Sequence, residues 1–245
     1  MSSAASGMLE LERVNTYRGP AHILYGISLT VNPREVVCLV GRNGAGKTTT
    51  IESIMGLLPI RSGTITFQAR DMSRLPTHER ARLGIGYAPE DAGIFPDLTV
   101  AENFLISEVM AGVSRREGSP SSSQVRERAF ALFPEVATLG QRRGLNLSGG
   151  QKKMVAIARA MSLSPSILLL DEPFEGLAPV VVTRFIEAVK KIKDMGISLL
   201  IAESNLTTAT RIADRLYAID RGEIIFHGDP RSAFENEEVM RTLRG

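Results

Sequence analysis

Two glycine-containing motifs have the residue types and spacing to bind phosphate groups. The first, Gly-Arg-Asn-Gly-Ala-Gly-Lys-Thr at residues 41–48, follows the apolar run 36–40 and opens a helical pattern. This order of strand, glycine loop and helix fits the P-loop pattern. Its glycines let successive backbone N–H groups converge on one anion, where the helix adds the positive end of its dipole. The motif therefore predicts a cradle for a di- or triphosphate rather than a merely flexible turn.

The side chains of this loop predict two further contacts. Lys47 supplies a positive charge for the outer phosphates, and Thr48 places a hydroxyl where it can bind the Mg²⁺ that bridges them. The predicted nucleotide-binding residues of the loop are Gly41, Arg42, Asn43, Gly44, Ala45, Gly46, Lys47, Thr48 and Thr49.

The second motif is Leu-Ser-Gly-Gly-Gln at residues 147–151. Ser148 and Gln151 have the spacing of a capping box, so Ser148 is predicted to start a helix. The free N–H groups of that helix, with those of Gly149 and Gly150, predict a second anion site. Taken alone, the pattern is equally compatible with an ordinary helix start.

With both motifs present, the chain resembles the ATP-binding subunits of ATP-binding-cassette (ABC) transporters, whose signature sequence reads like residues 147–151. The resemblance extends over residues 9–241. It implies that two subunits face head to tail, so that Ser148, Gly149, Gly150 and Gln151 serve an ATP held mainly by the partner's P-loop. It also implies an α/β P-loop NTPase fold of the ABC type. That fold has a mixed sheet core, an inserted helical subdomain and an N-terminal antiparallel β part.

The expected organisation is one domain over residues 1–245. Residues 1–90 and 151–245 form the nucleotide-binding core, and residues 91–150 form the helical subdomain that carries the signature. Strands are predicted at residues 8–14, 27–31, 36–40, 63–67, 198–202, 215–220 and 223–227. Helices are predicted at residues 47–56, 99–112, 124–133, 149–163 and 230–243, and from residue 179 onward, with a flexible connection at 118–123.

An acidic pair follows the apolar run 167–170. Ligands of open α/β sheets bind at the carboxyl ends of the strands, and neighbouring strand residues point to opposite sides. Asp171 is therefore predicted to hold Mg²⁺, usually through water, and Glu172 to polarise the water that attacks the terminal phosphate. The resemblance to the Walker B motif and its following glutamate supports these roles. The alternative is a pair of strand-end acids that cap the next helix.

Three more positions acquire roles through the resemblance. Tyr17 matches the aromatic residue that stacks on adenine, although it could equally be a packing residue. Glu90 stands where most family members carry a glutamine that touches Mg²⁺ and senses the membrane partner. Ser204 stands where the family usually places a histidine that contacts the terminal phosphate and orients Glu172.

The serine at position 204 is too short to reach as a histidine would. Loss of one transition-state contact of this kind typically costs roughly 10²- to 10³-fold in rate. The sequence therefore predicts slow hydrolysis at the chain's own P-loop, while its intact signature completes a faster site on a different subunit.

Composition limits the functional classes. The chain has 245 residues, a net charge of +2 and no long run of Lys or Arg, so nothing favours a nucleic-acid partner. Its single Cys38 excludes an internal disulfide. No stretch approaches the roughly 20 apolar residues of a membrane span, and the first seven residues are unlike a signal peptide. We therefore expect a cytoplasmic protein, peripheral on the inner face of the cell membrane, with separate transmembrane permease subunits.

The segment Gly-Leu-Ala-Pro at residues 176–179, together with Glu90, resembles importers for branched-chain and other hydrophobic amino acids, including their urea and small-carboxylate relatives. Such importers commonly pair two unlike ATPases and receive substrate from a binding protein. Phe174 and Glu175 depart from the usual small residues. The alternatives are a signature-donating subunit with weak hydrolysis and an ABC ATPase that acts without transport.

Overall fold

The computed structural model describes residues 7–114 and 122–244 and contains two sheets. The first sheet is antiparallel, with strand order β2-β1-β4-β5. Its strands are β1 (Leu9–Arg18), β2 (Ala21–Val31), β4 (Ile60–Phe67) and β5 (Arg70–Asp71). This sheet is the N-terminal antiparallel part predicted from the sequence.

The second sheet is mixed and has the strand order β10-β9-β3-β8-β7-β6. Its first five strands in chain order run parallel, and β10 pairs antiparallel with β9. The strands are β3 (Val36–Val40), β6 (Ile85–Ala88), β7 (Ile167–Asp171), β8 (Ser198–Glu203), β9 (Arg215–Asp220) and β10 (Glu223–Gly228). The predicted α/β class with a mixed sheet core is confirmed.

The helices of the described residues include three between β6 and the helix of the second motif. Their bounds are α1 (Lys47–Met55), α2 (Thr77–Arg82), α3 (Val100–Ser114), α4 (Ser122–Leu132), α5 (Pro134–Thr138), α6 (Gly149–Met161), α7 (Pro179–Asp194), α8 (Leu206–Ile212) and α9 (Glu237–Arg244). Single 3₁₀ turns lie at Gly144–Asn146 and Ser232–Phe234.

The central strand β3 explains the layering of the core. All of its residues are buried. Val36, Cys38 and Val40 pack into one hydrophobic cluster with α6 and α7, whereas Val37 and Leu39 pack into the other with α1 and the first sheet. A parallel strand covered on both faces reads as a continuous apolar run, as this one does. Burial raises the pKa of the Cys38 thiol, which marks it as a packing residue.

Several predicted boundaries need correction. β1 continues to Arg18 through irregular register steps and β2 already begins at Ala21, so Tyr17, which lay between the predicted strands 8–14 and 27–31, lies inside β1. The sequence patterns missed β5, β6, α2, α5 and α8. Within the connection predicted at 118–123, Ser122 and Ser123 begin α4, and the rest lies outside the described residues.

Candidate functional site

The phosphate-directed loop lies between the end of β3 and the start of α1. Gly46 precedes the helix with a φ of 115°, a conformation that residues with a Cβ rarely adopt. A Cβ at Gly41 would lie 2.4 Å from the carbonyl oxygen of Ile219 in β9. The carbonyl of Ala45 accepts a hydrogen bond from Gly222 N, in the turn after β9, at 2.8 Å. The loop's shape therefore depends on glycine and on a distant strand.

An open cleft of about 440 Å³ lies over this loop. Its lining combines most of the predicted loop residues with the two predicted glutamates. The lining residues are Arg18, Ile23, Asn43, Gly44, Gly46, Lys47, Thr48, Thr49, Glu90 and Glu172. Gly41, Arg42 and Ala45 do not line the cleft and contribute backbone contacts instead.

Lys47 is the centre of the charged contacts in the cleft. Its ammonium group is 3.0 Å from Glu172 Oε1, and both side chains are only 5% exposed. It donates to the carbonyl oxygens of Gly41 and Arg42 at 2.7 and 3.0 Å, and to Ser204 Oγ at 3.0 Å. These contacts aim a buried cation at the space above the loop.

Ser204 holds both carboxylate oxygens of Glu172. Its hydroxyl donates to Glu172 Oε1 at 2.6 Å, and its backbone N–H donates to Glu172 Oε2 at 3.1 Å. From the sequence, a serine side chain is predicted to be too short to make the contacts of a histidine. In the structure, Ser204 nevertheless reaches Glu172. The reason is that β7 and β8 are neighbours in register, with Asp171 beside Ala202, so the two strand ends are already adjacent.

The backbone of Glu172 is itself unusual, because its φ of 46° lies in the left-handed region. Such conformations cost about 1 to 3 kcal/mol for residues with a Cβ and persist only where surrounding contacts hold them. Here the Glu172 N–H donates to the carbonyl of Ala202 at 3.0 Å. The strained turn separates Glu172 from Asp171 and directs the glutamate toward Lys47.

Asp171 and Thr48 form a separate oxygen pair. Thr48 Oγ1 donates to Asp171 Oδ1 at 3.2 Å, and Asp171 Oδ2 is buried with no hydrogen-bond partner among the described residues. Burial raises the pKa of Asp171 to about 6. Mg²⁺ prefers such oxygen ligands and takes only one or two from the protein when it is bound to phosphates. These two side chains therefore fit a magnesium ion.

Glu90 follows β6 and also faces the cleft. Burial raises the pKa of Glu90, and the nearby Glu175 raises it further by charge and by a shared hydrogen bond. Within residues 7–114 and 122–244, no group of three or more His, Cys, Asp or Glu side chains is arranged to hold a metal ion. A magnesium site here would depend on the nucleotide for its remaining ligands.

Two residues at this site were missed by sequence reasoning. Glu203, the last residue of β8, is 2% exposed, and burial raises its pKa to about 7. Its Oε1 accepts from the backbone N–H groups of Ser204 and Asn205, both at 2.9 Å. Arg18 lines the cleft, donates to Thr49 Oγ1 at 3.3 Å and pairs with Glu52. The sequence did contain a signal for Glu203, because an acidic residue directly follows the predicted strand 198–202.

Tyr17 does not line the same cleft as Lys47. Its ring stacks on His22 of β2, with centroids 4.2 Å apart and planes 4° apart, and it borders a second cleft beside Leu58 and Pro59. The ring is 38% exposed. The structure thus brings Arg18 to the phosphate cleft and leaves Tyr17 at its margin, on the neighbouring face of the hairpin.

The second motif forms the start of α6 as predicted. Ser148 Oγ accepts from Gln151 N at 3.3 Å, and Gln151 Oε1 accepts from Ser148 N at 3.0 Å, which completes the capping box. Ser148 and Gly149 are exposed. None of the residues 148–151 lines the P-loop cleft of the same chain.

The sequence and the fold are similar to those of proteins whose family is known. The family model described as "ABC transporter" matches residues 24–175. The chain belongs to the ABC transporter family. It is 38% identical over 231 residues to the lipopolysaccharide export system ATP-binding protein LptB of Escherichia coli strain K12, with 94% of this chain and 93% of LptB covered.

A second relative in the ABC family is the high-affinity branched-chain amino acid transport ATP-binding protein BraG of Pseudomonas aeruginosa. It is 32% identical, with 97% of this chain and 100% of BraG covered. Among solved structures, the ADP conformation of MJ1267, an ATP-binding cassette of an ABC transporter, matches with a TM-score of 0.84 and 29% identity. That match covers 98% of this chain and 100% of MJ1267.

Membership in the ABC family establishes the coarse function. The chain is an ATP-binding, ATP-hydrolysing subunit of a transporter, and its nucleotide is ATP with Mg²⁺. ABC ATPases work as dimers together with transmembrane subunits. In the described part of this chain, no helix is both long and apolar enough to cross a membrane.

Proposed function

We propose that this chain powers an importer for branched-chain or other hydrophobic amino acids, or for a urea or small-carboxylate relative, from the cytoplasmic face of the membrane. The hydrolytic part of the proposal depends on one observation: Lys47, Glu172 and Ser204 form a closed group beside Asp171 and Thr48. The substrate class is supported by the segment at residues 176–179 and by the full-length match to BraG.

In the proposed mechanism, ATP enters the cleft and its outer phosphates take Lys47 away from Glu172. Lys47 already has a buried ammonium group and two fixed backbone contacts, so it is oriented before ATP arrives. Backbone N–H groups of residues 44–48 bind the phosphate oxygens at the N-terminus of α1. Thr48 and Asp171 would hold Mg²⁺, with Glu90 as a further oxygen donor nearby, and the bound ion would supply positive charge to the phosphates.

Glu172 is the proposed general base. Once Lys47 pairs with phosphate, Glu172 keeps the two hydrogen bonds from Ser204 and is free to accept a proton from the attacking water. Ser204 therefore orients Glu172 from the strand next to it. A serine in this place supplies no imidazole for the terminal phosphate, so we expect hydrolysis at this P-loop to be slow.

The signature at residues 148–151 is proposed to act on a partner subunit's ATP. Its first two residues are exposed, and the whole motif lies outside the cleft of its own chain, which supports a role in a head-to-tail dimer. The dimeric structure of MJ0796, a bacterial ABC transporter cassette, has a TM-score of 0.78 to this chain and 26% identity. We favour a second, unlike ATPase as the partner, with a substrate-binding protein acting through the permease subunits. Tyr17 remains the proposed adenine-stacking residue.

The second candidate is lipopolysaccharide export, which the 38% identity to LptB favours. The two candidates predict different membrane partners and different cargo. Affinity purification of the tagged chain from detergent-solubilised membranes, followed by identification of the permease subunits, separates them. Loss of labelled leucine uptake in cells that carry only the Glu172→Gln variant supports import, whereas normal uptake with defective lipopolysaccharide export would replace our proposal.

Hydrolysis is tested on the purified chain alone, beside Glu172→Gln and Ser204→His variants. We expect weak turnover that Glu172→Gln abolishes and Ser204→His raises. Fast turnover by the unmodified chain would make it a self-sufficient ATPase and would remove the unequal-partner proposal, while leaving the role of Glu172 in place.

A further inference from the structure

Lys153 connects the signature helix to the loop that follows β7. It lies in α6, and its ammonium group donates to the backbone carbonyl of Glu172 and, at 3.1 Å, to that of Glu175. The helix that starts at Ser148 thus holds the chain segment that carries the proposed general base. Neither Lys153 nor Glu175 has a role in the proposed function.

The loop needs such a contact because of its backbone conformation. Glu172 is held in the left-handed region, with φ at 46°. Its N–H donates to Ala202, whereas among the described residues its carbonyl has only the N–H of Glu175, at 3.3 Å, as a backbone donor. A conformation of this kind persists only where surrounding contacts fix it. Lys153 is the charged donor that fixes the carbonyl side of this peptide.

The surroundings of Lys153 favour its staying in place. Its side chain is half-buried, and burial lowers the pKa of Lys153. Four carboxylates oppose that shift: Glu175, Glu172, Glu203 and Glu90. Glu90 and Glu175 also share a hydrogen bond. Lys153, together with Lys47, therefore compensates a group of acids at the edge of the cleft.

We propose that Lys153 is a positioning residue for Glu172. It transmits the position of the signature helix to the carboxylate that polarises water, by fixing the peptide that follows Glu172. The kinetic part of this proposal rests on the proposed role of Glu172, whereas the structural part does not. A partner that moves the signature would therefore also move the reactive carboxylate of the same chain.

The experiment compares the full chain with Lys153→Met, Lys153→Arg and Lys152→Met variants. Methionine keeps the length of the stem and removes the donors, while arginine restores two N–H donors. Lys152 is the matched control, since it carries the same charge on the same helix and takes no part in the two carbonyl contacts. Amide hydrogen exchange is measured on peptides covering residues 172–178, and ATP hydrolysis and equilibrium ATP binding are measured in parallel.

We expect Lys153→Met to raise exchange several-fold in residues 172–178 and to leave α1 unchanged. We expect kcat to fall roughly 10- to 100-fold, as for small misplacements of a catalytic group, with KM and ATP binding within about two-fold. Lys153→Arg should recover most of both effects, and Lys152→Met should resemble the unmodified chain. If Lys153→Met does not fold, Lys153→Leu, which also lacks side-chain donors, replaces it in the same comparison.

Unchanged exchange in residues 172–178 would overturn the proposal, as would a rise spread evenly over the whole chain. Normal kcat with raised loop exchange would overturn the positioning role. Failure of Glu172 itself is distinguished by Glu172→Gln: if that variant hydrolyses ATP normally, the proposed function fails, while loop exchange still reports on Lys153.

Discussion

The group around the P-loop lysine and the signature at residues 148–151 are both proposed to bind phosphate, but their residues are held in place differently. Lys47, Glu172 and Ser204 come from three distant segments, carry buried charge and meet at the ends of neighbouring strands. Ser148 and Gln151 are uncharged and joined by reciprocal hydrogen bonds within a single helical turn, with Ser148 exposed and Gln151 half-buried. The first group depends on the whole sheet, whereas the second is complete in itself.

Because of this difference, we expect substitutions in the two regions to impair the protein in different ways. A change in the P-loop group breaks contacts that several elements share, so binding and chemistry should both respond. A change in the signature breaks a local cap, so the chain should keep its own nucleotide while the dimer loses turnover. The following variants test that distinction, beginning with the largest expected effect.

Lys47→Ala should lower the affinity for ATP on the order of 100-fold, because a charge-assisted contact worth about 3 kcal/mol is lost. Hydrolysis should fall with it. Equilibrium binding of a fluorescent ATP analogue measures the effect, and Lys152→Ala serves as the control. Binding within about three-fold of the unmodified chain would mean that the closed group around Lys47 is not the phosphate site.

Ser148→Ala should reduce turnover of the assembled transporter roughly 10-fold while leaving ATP binding by the isolated chain within about two-fold. Loss of the cap should also lower the free energy of unfolding by about 1 kcal/mol. Urea unfolding and ATP binding of the same preparation measure the two local effects. A large loss of ATP affinity in the isolated chain would remove the contrast between the two sites.

Ser204→Ala should lower kcat about five-fold, since it removes one hydrogen bond to Glu172 worth about 1 kcal/mol. The effect is modest because the backbone N–H of residue 204 still holds Glu172 Oε2. Ser204→Thr keeps a hydroxyl and should stay close to the unmodified rate. Equal kcat for the serine and alanine forms would show that the hydroxyl does not orient the glutamate.

Glu203→Gln should change the pH dependence of stability. Burial raises the pKa of Glu203 to about 7 from an ordinary value of 4.5, so the folded chain holds this proton more tightly than the unfolded chain does. The group's favourable contribution is fully present below pH 4.5 and is lost as the pH rises through 7. The unmodified chain should therefore lose up to about 3 kcal/mol, relative to Glu203→Gln, between pH 4.5 and 8. Urea unfolding at several pH values measures it, and parallel curves would contradict the buried ionisation.

Local patterns were sufficient for much of the fold. The bounds of β3 and β9 match the predicted strands, because each is an apolar run whose burial sets its length. The capping box at Ser148 forms the predicted bonds, and Thr99 and Glu102 form a second capping box at the start of the predicted helix 99–112, since such a motif needs only the residues within one turn. The short β6 and α2 were missed because each offers too few residues for a clear period.

The site was harder to predict where contacts join distant strands. Ser204 hydrogen-bonds to Glu172 because β7 and β8 are neighbouring strands whose ends lie side by side. This pairing of strands cannot be predicted from a local sequence pattern. Arg18, which no local pattern singled out, lines the cleft and Tyr17 does not, because the irregular register near the end of β1 decides which side chain faces the cleft. The predicted role of Tyr17 in stacking on adenine stays a prediction.

The contact between the P-loop and the turn after β9 has a consequence for biosynthesis. Ile219 leaves no room for a Cβ at Gly41, and the N–H of Gly222 donates to the carbonyl of Ala45. The final conformation of residues 41–46 therefore depends on residues that lie far later in the sequence. During translation the P-loop leaves the ribosome first, long before that turn exists. A nascent chain that stops short of residue 222 should therefore expose a loop without its final conformation, and nucleotide binding should begin only after residue 222 has been synthesised and has folded against the loop.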